Sequence, residues 1–455
     1  MKTYQDLLST AQTVDALGKF ILEAINEHKT SAMYRIAFDA EEYDHKRNVT
    51  ILKYQKLLYT ISGKAVPDNF SANHKTTSGY FPLFVTQQTQ YLLGNGLKLE
   101  EMKNKDALGK NFDSRLSSIA RDSLVQAVAF GFWNFDHLEG FKLTEFVPLW
   151  DEETGRLCAG IRFWQVEADR PLRATLYELD GFTEWVKVKD KAFRILNEKR
   201  GYKQNVTGSK MDGITVMDGG NYPGFPIIPL WGNAHHQSEL IGVRTKIDAY
   251  DLIESGFAND LDDASMIYWT LENAGGMDDV DLARFVERMK TVKAAVVDGD
   301  DGAKAEAHTM EVPHAAREAI LTRLNDDLYR DFGALNVRDL SGGSKTTVEI
   351  KAAYQALDNK CDQQEYLLHD FLYALFELVG IDDKPSFNRS RIINQLEETQ
   401  TVLMAAQYLD DETILKKLPF LTPEDVEELL KNKAANDAER LLTQPQITPP
   451  ADGEE

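Results

Sequence analysis

Leu17, Ile21 and Ile25 recur every four residues in an otherwise polar stretch. This spacing predicts helical structure over residues 1–60, which the apolar run KYQKLLYTI continues. The segment SANHKTTSGYFPLFVTQQTQYLLGNGLKLE predicts a loop, then an apolar helix that ends at the turn of Gly94 and Gly96. SSIARDSLVQAVAFGFWNFDHL predicts a buried helix passing into a strand. From 143 to 195 the alternation is that of strands separated by turn residues: KLTEFVPLW, RLCAGIRFWQVE and LRATLYEL form a meander. Trp150, Phe163, Trp164 and Trp185 supply its packing surface. Such an aromatic stripe can also bind sugar rings, but core packing is the commoner use. VTGSKMDGITVMDGGNYPG, rich in glycine, predicts an exposed loop.

The period then lengthens. Leu240, Val243, Ile247, Tyr250 and Phe257 follow helical spacing behind a Ser238 cap, with a mild break at Gly256. A helix over 238–263 is about 39 Å long at about 1.5 Å per residue. Its other face is acidic, with Asp248, Asp251 and Glu254. A compact insert follows. SMIYWTLEN predicts a strand and VDLARFVERMKTVK a helix with Leu282, Phe285, Val286 and Met289 on one face. AAVV and AEAHTMEV predict a hairpin around DGDDGAK. Pro313 opens a second long helix, 313–331, with Ile320, Leu324 and Leu328 in register. A third, 347–379, is about 48 Å long. RSRIINQLEETQTVLMAAQYL and LTPEDVEELLKNKAAND predict two further helices, the second with Thr422 as cap and Pro423 at its first position. TQPQITPPADGEE predicts a disordered tail. The fold class is therefore α+β, mainly helical, with a small αβ module between two long helices.

Composition narrows the possibilities. The 455 residues, 43% hydrophobic, suffice for two or three domains with a sizeable core. The only cysteines, Cys158 and Cys361, lie far apart, which excludes a disulfide framework or a cysteine zinc cluster and suits a reducing cytosol. The N-terminus lacks a charged-then-apolar leader, and no apolar run approaches the roughly 20 residues of a membrane helix. A net charge of −22 argues against wrapping nucleic acid tightly over the whole surface.

LSGGSKTTVE, at 340–349, raises the question of a phosphate loop. That motif needs glycine before its lysine and again at its start, after a buried strand. Here Ser344 precedes Lys345, and Asp339, an anion, holds the first position. The stretch fits a flexible loop ending at a helix cap, with Ser344 or Thr346 as the cap and Glu349 in the first turn. A nucleotide-hydrolysing enzyme built on Lys345 remains the alternative function. The other chemical patterns fail similarly. His235 and His236 are adjacent, which suits no helical metal site. DGDDGAKAEAHT has calcium-type acids at Asp298 and Asp300 but no closing glutamate. NDLDDA reads as a solvated helix end before a Mg²⁺ site. No G-x-S-x-G elbow occurs. The expectation is a non-enzyme without cofactor or metal.

FPIIPLWGNAHHQSELIGVRTKIDAYDLIESGFANDLDDA closely resembles the signature of portal proteins of tailed double-stranded DNA bacteriophages, in the long-tailed branch. QQTQYLLGNGLKL, PLWDEETGRLCAGIRFW, LTRLNDDLYRDFG and FNRSRIINQLEETQTVLM resemble further family segments in the same order, covering most of 30–410. The resemblance implies a portal fold assembling as a ring, typically dodecameric, at the capsid vertex, through which DNA is packaged and ejected. It implies a wing over 1–237, stem helices over 238–263 and 313–331, a clip over 264–312 and a tunnel loop over 332–346. A long wing helix over 347–386, a short crown over 387–440 and a tail over 441–455 complete the plan. Implied partners are double-stranded DNA, passing without sequence readout, a terminase motor, major capsid and scaffolding proteins, and a head-completion adaptor. The resemblance also implies no membrane and assembly in the host bacterial cytoplasm.

Physical reasoning adds to this plan. Two long helices cannot bury both faces alone, so lateral neighbours are expected. A loop over 333–345 reaches at most about 20 Å as a hairpin, enough to narrow a central hole. Many basic contacts would trap DNA, because each neutralised phosphate adds about 0.9 to the salt slope. A few cations in an acidic bore are therefore expected. The candidates at the DNA path are Asn336, Arg338, Ser344 and Lys345 in the loop, with Lys246 and Arg317 on the two helices. Arg284, Arg288, Lys290 and Lys293 are the candidates for partner docking on the insert.

Overall fold

Side-chain caps set the first helices. Thr3, Thr13, Ser31 and Asn48 each accept a backbone N–H at the start of α1 (Tyr4–Ser9), α2 (Val14–Thr30), α3 (Ala32–Asp44) and α4 (Val49–Lys53). The computed structural model describes residues 1–59, 63–69, 71–188, 192–209, 213–218, 220–264, 268–272, 304–308, 314–340, 346–390, 402–418 and 428–433. It also describes the single positions 280, 284, 287, 399, 421, 425 and 426. Two units emerge, the first from residues 1–336 and 356–390, the second from 337–355 and 391–455.

In the first unit the helical reading of KYQKLLYTI is corrected. Tyr54 turns extended and ends α4, and β1 (Leu57–Tyr59) pairs antiparallel with β2 (Ala65–Pro67). Gly63, at φ +76, supplies backbone that a helix cannot use. α5 (Tyr80–Leu93) ends at Gly94 as expected. β3 (Leu97–Lys98), paired with the strand Ser386–Phe387, leads to α6 (Met102–Ala107) and α7 (Phe112–Gln126). The helix-to-strand passage holds: α7 turns through Ala127 into β4 (Val128–Asn134), followed by β5 (His137–Lys142).

The meander is a five-stranded antiparallel sheet. It runs through β6 (Phe146–Trp150), β7 (Leu157–Trp164), β8 (Leu172–Glu178), β9 (Gly181–Lys187) and β10 (Arg194–Arg200), each beside its predecessor. α2 lays Phe20, Ile21, Ala24 and Ile25 on the sheet face formed by Val147, Leu149, Ile161, Phe163, Leu176 and Trp185. Trp185 and Phe163 are thus core. Trp150 is half-buried and stacks on Trp231 at 5.9 Å. Gly160 leaves room for a buried ring: an added Cβ would lie 2.0 Å from Phe146 Cζ and would have to displace it.

The glycine-rich run is not a loop throughout. β11 (Gln204–Ser209) and β12 (Gly213–Asp218) form an antiparallel hairpin with Val206 opposite Val216 and Thr207 opposite Thr215. The β-branched residues Val206, Thr207, Ile214, Thr215 and Val216 outweighed the glycines. β13 (Ile227–Trp231) joins β4 and β5 in a three-stranded sheet with β4 in the centre.

α8 (Leu240–Ala264) passes Gly256 without a break. In the insert, β14 (Tyr268–Glu272) pairs antiparallel with β15 (Lys304–His308). The strand AEAH therefore takes YWTLE as its partner, whereas AAVV, its expected mate, lies outside the described residues. Val280, Arg284 and Glu287 are helical, in step with the helix expected there. α9 (His314–Phe332) follows, and Pro313 lies outside the described residues.

The second unit holds α10 (Val337–Leu340), a turn of helix inside the segment expected to be a plain loop. α11 (Thr347–Val379) has the predicted bounds and belongs to the second unit up to Gln355 and to the first from Ala356. Its cap is Thr346. The Thr346 N–H donates to Glu349 Oε2 at 2.9 Å, and Thr346 Oγ1 accepts the Glu349 N–H at 3.3 Å. Residues 402–405 are helical, and α12 (Asp411–Lys417), capped by Asp410, is an element the hydrophobic pattern did not single out. Thr422, Pro423 and the tail lie outside the described residues. No helix among the described residues is long and apolar enough to cross a membrane.

Candidate functional site

Ser238 fixes where α8 begins. Its hydroxyl donates to Val125 O at 2.6 Å and accepts the Leu240 N–H at 3.2 Å. The next turns bury Leu240, Val243 and Ile247 among Phe81, Phe84 and Val85 of α5, Leu124 and Val125 of α7, and Leu328 and Phe332 of α9. Aromatic rings close this root. Phe84 packs on Phe332 at 4.9 Å and Tyr329 at 5.0 Å, and Tyr80 meets Tyr250 edge-on at 5.1 Å. The Tyr80 hydroxyl donates to Asn325 Oδ1 at 2.8 Å. Burial raises the pKa of that hydroxyl, which stays a neutral donor.

Lys360 of α11 plugs the same root. Its ammonium lies 2.5 Å from Glu239 Oε2, donates to Phe332 O at 2.9 Å and sits 3.3 Å from the centroid of the Phe332 ring. Burial pulls its pKa below the ordinary lysine value, and Glu239 opposes that pull. A cavity of about 200 Å³ beside it is lined by Gln88, His235, Gln237, Asp331 and Gln364 among others.

α8 and α9 run antiparallel, because successive contacts climb one helix while descending the other. Lys246 pairs with Asp331 at 2.5 Å and Asp327 at 3.8 Å. Further out, Phe257 meets His314 at 5.7 Å, and Arg317 pairs with Asp260 while lying 5.8 Å over the Phe257 ring. The acidic face of α8 is not simply solvated. Residues 74–78 form a strap along it. The Ser78 N–H donates to Asp251 Oδ1 at 2.9 Å, the Thr76 N–H to Ser255 Oγ at 2.9 Å and the His74 N–H to Asn259 Oδ1 at 2.6 Å. Asp251 also accepts from Asn48 Nδ2 at 2.7 Å and is fully buried, which raises its pKa. Asp248 accepts from the Tyr43 hydroxyl, whose pKa is pushed up to about 12, by burial first and by this hydrogen bond second. In NDLDDA, Asp260 is engaged by Arg317, and Asp262 lies 2.5 Å from His74 Nε2. Among the described residues no three His, Cys, Asp or Glu side chains converge as a metal site.

The pair is thus rooted and strapped by its own chain, more than two free rods would be. It still presents Ile241, Leu252, Leu261 and Ile320 outward, each 42–47% exposed. Residues 22–439 match the family described as phage portal protein, SPP1 Gp6-like. The chain belongs to this phage portal family. A portal protein of Clostridium phage phiCD119 is 24% identical over 395 residues, covering 79% of this chain and 84% of that protein. The portal protein of Bacillus phage SPP1 is 25% identical over 419 residues, covering 84% of this chain and 79% of that protein. Among solved structures, the virion of a native gene transfer agent particle contains a chain similar at TM-score 0.42 and 11% identity, covering 73% of this chain and 88% of that one. The neck of an empty gene transfer agent particle contains another at TM-score 0.42 and 10% identity, covering 78% and 90%. The nucleotide-hydrolysing alternative finds no support in the family or in these relatives.

Within this portal protein the residues expected at the DNA path divide. Lys246 and Arg317 are half-buried and engaged by Asp331 and Asp260 of their own chain. Asn336 is half-exposed, next to Leu335, whose N–H and C=O are both held by the Gln87 amide at 2.8 and 2.9 Å. Arg338 is exposed on α10, and both Asn336 and Arg338 make contacts. Ser344 and Lys345 lie outside the described residues. On the insert Arg284 is helical and exposed, whereas Arg288, Lys290 and Lys293 lie outside the described residues. Sequence reasoning missed the strap and the Lys360–Glu239 plug. The strap had a signal: Asp251, Ser255 and Asn259 recur every four residues on the polar side of α8.

Proposed function

We propose that copies of this portal chain close into a dodecameric ring whose axis is the passage for double-stranded DNA during packaging and ejection at a capsid vertex. The chain carries no chemistry of its own. A separate terminase motor docks on the insert 264–312, through Arg284 and its neighbours Arg288, Lys290 and Lys293, and a head-completion adaptor later takes the same end. Residues 1–237 form the wing, α8 and α9 the stem, 332–346 the tunnel loop, α11 the long wing helix and 387–440 the crown. Capsid and scaffolding proteins meet the wing and crown, and assembly precedes release from the host cytoplasm.

The observation that carries this reading is the antiparallel helix pair. Its root is locked by Lys360 and Glu239, its length is fixed by ion pairs, and it still holds large apolar side chains in water. A lone helix pair fixed in this way gains most by lending those side chains to a neighbouring copy. A head-to-tail contact of that kind closes into a ring when its rotation divides the circle. Negative-stain images of the purified chain test the reading: rings with a central hole are expected, and monomers at high concentration would refute it. ATP turnover lost in Lys345→Ala would instead establish the enzyme alternative.

A further inference from the structure

We propose that the outward ridge of α9, centred on Arg323 and continued by Arg330, is the stem surface that meets the DNA phosphates. The proposal rests on the ring reading above. The two long helices carry five Lys or Arg side chains: Arg244, Lys246, Arg317, Arg323 and Arg330. Four are engaged by carboxylates of the same chain. Arg244 pairs with Asp39 at 2.9 Å, Lys246 with Asp331 at 2.5 Å, Arg317 with Asp260, and Arg330 with Asp327. Arg323 alone has no carboxylate partner among the described residues, and it is exposed.

Helix geometry places it. Leu328 and Phe332 point to the core, and at about 100° per residue Arg323 lies nearly opposite the direction midway between them. Arg330 follows seven residues later, about 10.5 Å along the axis and within about 20° of the same line. Its side chain is 70% exposed, so its pairing with Asp327 is a surface contact that a phosphate can exchange for. Ala315, Ala316 and Ala319 precede them on the same exposed side and leave the arginines standing clear. Asp326, which accepts from Asn325 Nδ2 at 3.2 Å, flanks the ridge and keeps its net charge low.

α8 differs. Its exposed positions over the first four turns, Ile241, Gly242, Thr245 and Leu252, carry no charge. α8 therefore offers apolar surface, and α9 offers cations flanked by one exposed apolar side chain, Ile320. Apolar surface suits a neighbouring copy, and guanidinium groups suit phosphate. A spacing of about 10.5 Å equals about three base-pair rises of about 3.4 Å, so the two arginines stand at different levels of a passing duplex. With one or two cations per copy in a chain of net charge −22, the grip stays weak enough for DNA to slide.

The test uses full-length rings and a labelled duplex, with binding followed by fluorescence anisotropy over a series of NaCl concentrations. Arg323→Gln should leave rings intact in negative stain and make the plot of log K against log salt shallower by about 0.9 for each phosphate that is no longer neutralised. Arg323→Glu should weaken binding at least about tenfold at the lowest salt. Lys19→Gln, at an exposed helical position far along the chain, should behave as wild type. A wild-type slope in both Arg323 variants overturns the proposal while leaving the ring reading intact. Loss of rings in Arg323→Glu also overturns it, because Arg323 would then pair with a carboxylate of the adjoining copy. Absence of rings in the wild type would sink the ring reading itself.

Discussion

Glu239→Gln tests how the root of the helix pair is held. The change keeps shape and removes the carboxylate 2.5 Å from the Lys360 ammonium. What remains for that buried charge is one carbonyl, Phe332 O at 2.9 Å, and the face of the Phe332 ring. Both side chains are largely buried, 19% and 12% exposed, so solvent screens little. Removing one partner of a buried pair costs about 3–5 kcal/mol. The first unit has entropy of unfolding on the order of 0.8 kcal/mol/K, at about 2.1 cal/mol/K per residue, so the midpoint should fall by about 4–6 °C. The sign with pH follows from linkage. Burial already lowers the Lys360 pKa, so between the folded value and about 10.5 the unfolded chain binds more protons and stability rises with pH. Without Glu239 the folded pKa drops further, and the rise should begin at lower pH. Urea unfolding followed by far-UV circular dichroism measures both effects. The double variant Glu239→Leu with Lys360→Leu should recover most of the loss, because apolar replacement of a whole pair is close to neutral. A single variant within about 0.5 kcal/mol of wild type, or a double variant worse than either single, would refute the account of Lys360 as a charge held by its partner.

Four further outcomes are expected. His28 is buried with Nε2–H donating to Leu143 O at 2.8 Å, and burial lowers its pKa, so stability should be full above about 6.5 and fall as pH drops through that value; His28→Phe should remove this slope in urea titrations at paired pH values. Asp122 has the opposite sign: burial raises its pKa to about 6, so its contribution declines as pH rises from about 3.8 through 6, and Asp122→Asn should raise the unfolding free energy at neutral pH by roughly 2 kcal/mol. Gly160→Ala drives a Cβ to 2.0 Å from Phe146 and should cost at least about 1–3 kcal/mol in thermal melts. Gly242→Ala in α8, where an added Cβ meets nothing within 4 Å, should stabilise the isolated chain by about 0.5–1 kcal/mol in the same melts.

How much could be read in advance depended on the range of the force involved. α11 was legible because Thr346, Glu349 and a long apolar stripe act locally, and its bounds came out as expected. The first three strands of the meander were legible because turn residues separate their alternating runs, whereas β9 and β10 were not singled out. The β11–β12 hairpin was misread because glycine was given more weight than the β-branched residues between glycines. α10 has four residues, too few to carry a period. The site was less legible than the fold. The ion pairs of Lys246 and Arg317 were not legible, because their partners Asp331 and Asp260 lie 85 and 57 positions away, on the other helix of the pair, where spacing gives no warning. The strap residues 74–78 reach α8 through backbone N–H groups, which leave no mark on side-chain pattern beyond the polar period they answer to.

The central claim is that copies of this chain surround an open axis lined by the α8–α9 pairs. A cryo-electron reconstruction of the purified full-length assembly tests it most directly. The account predicts a closed ring in which adjoining copies cover Ile241, Leu252 and Ile320, with a bore wide enough for a B-form duplex. A reconstruction in which those side chains stay in solvent, or in which no bore passes between the helix pairs, would contradict it.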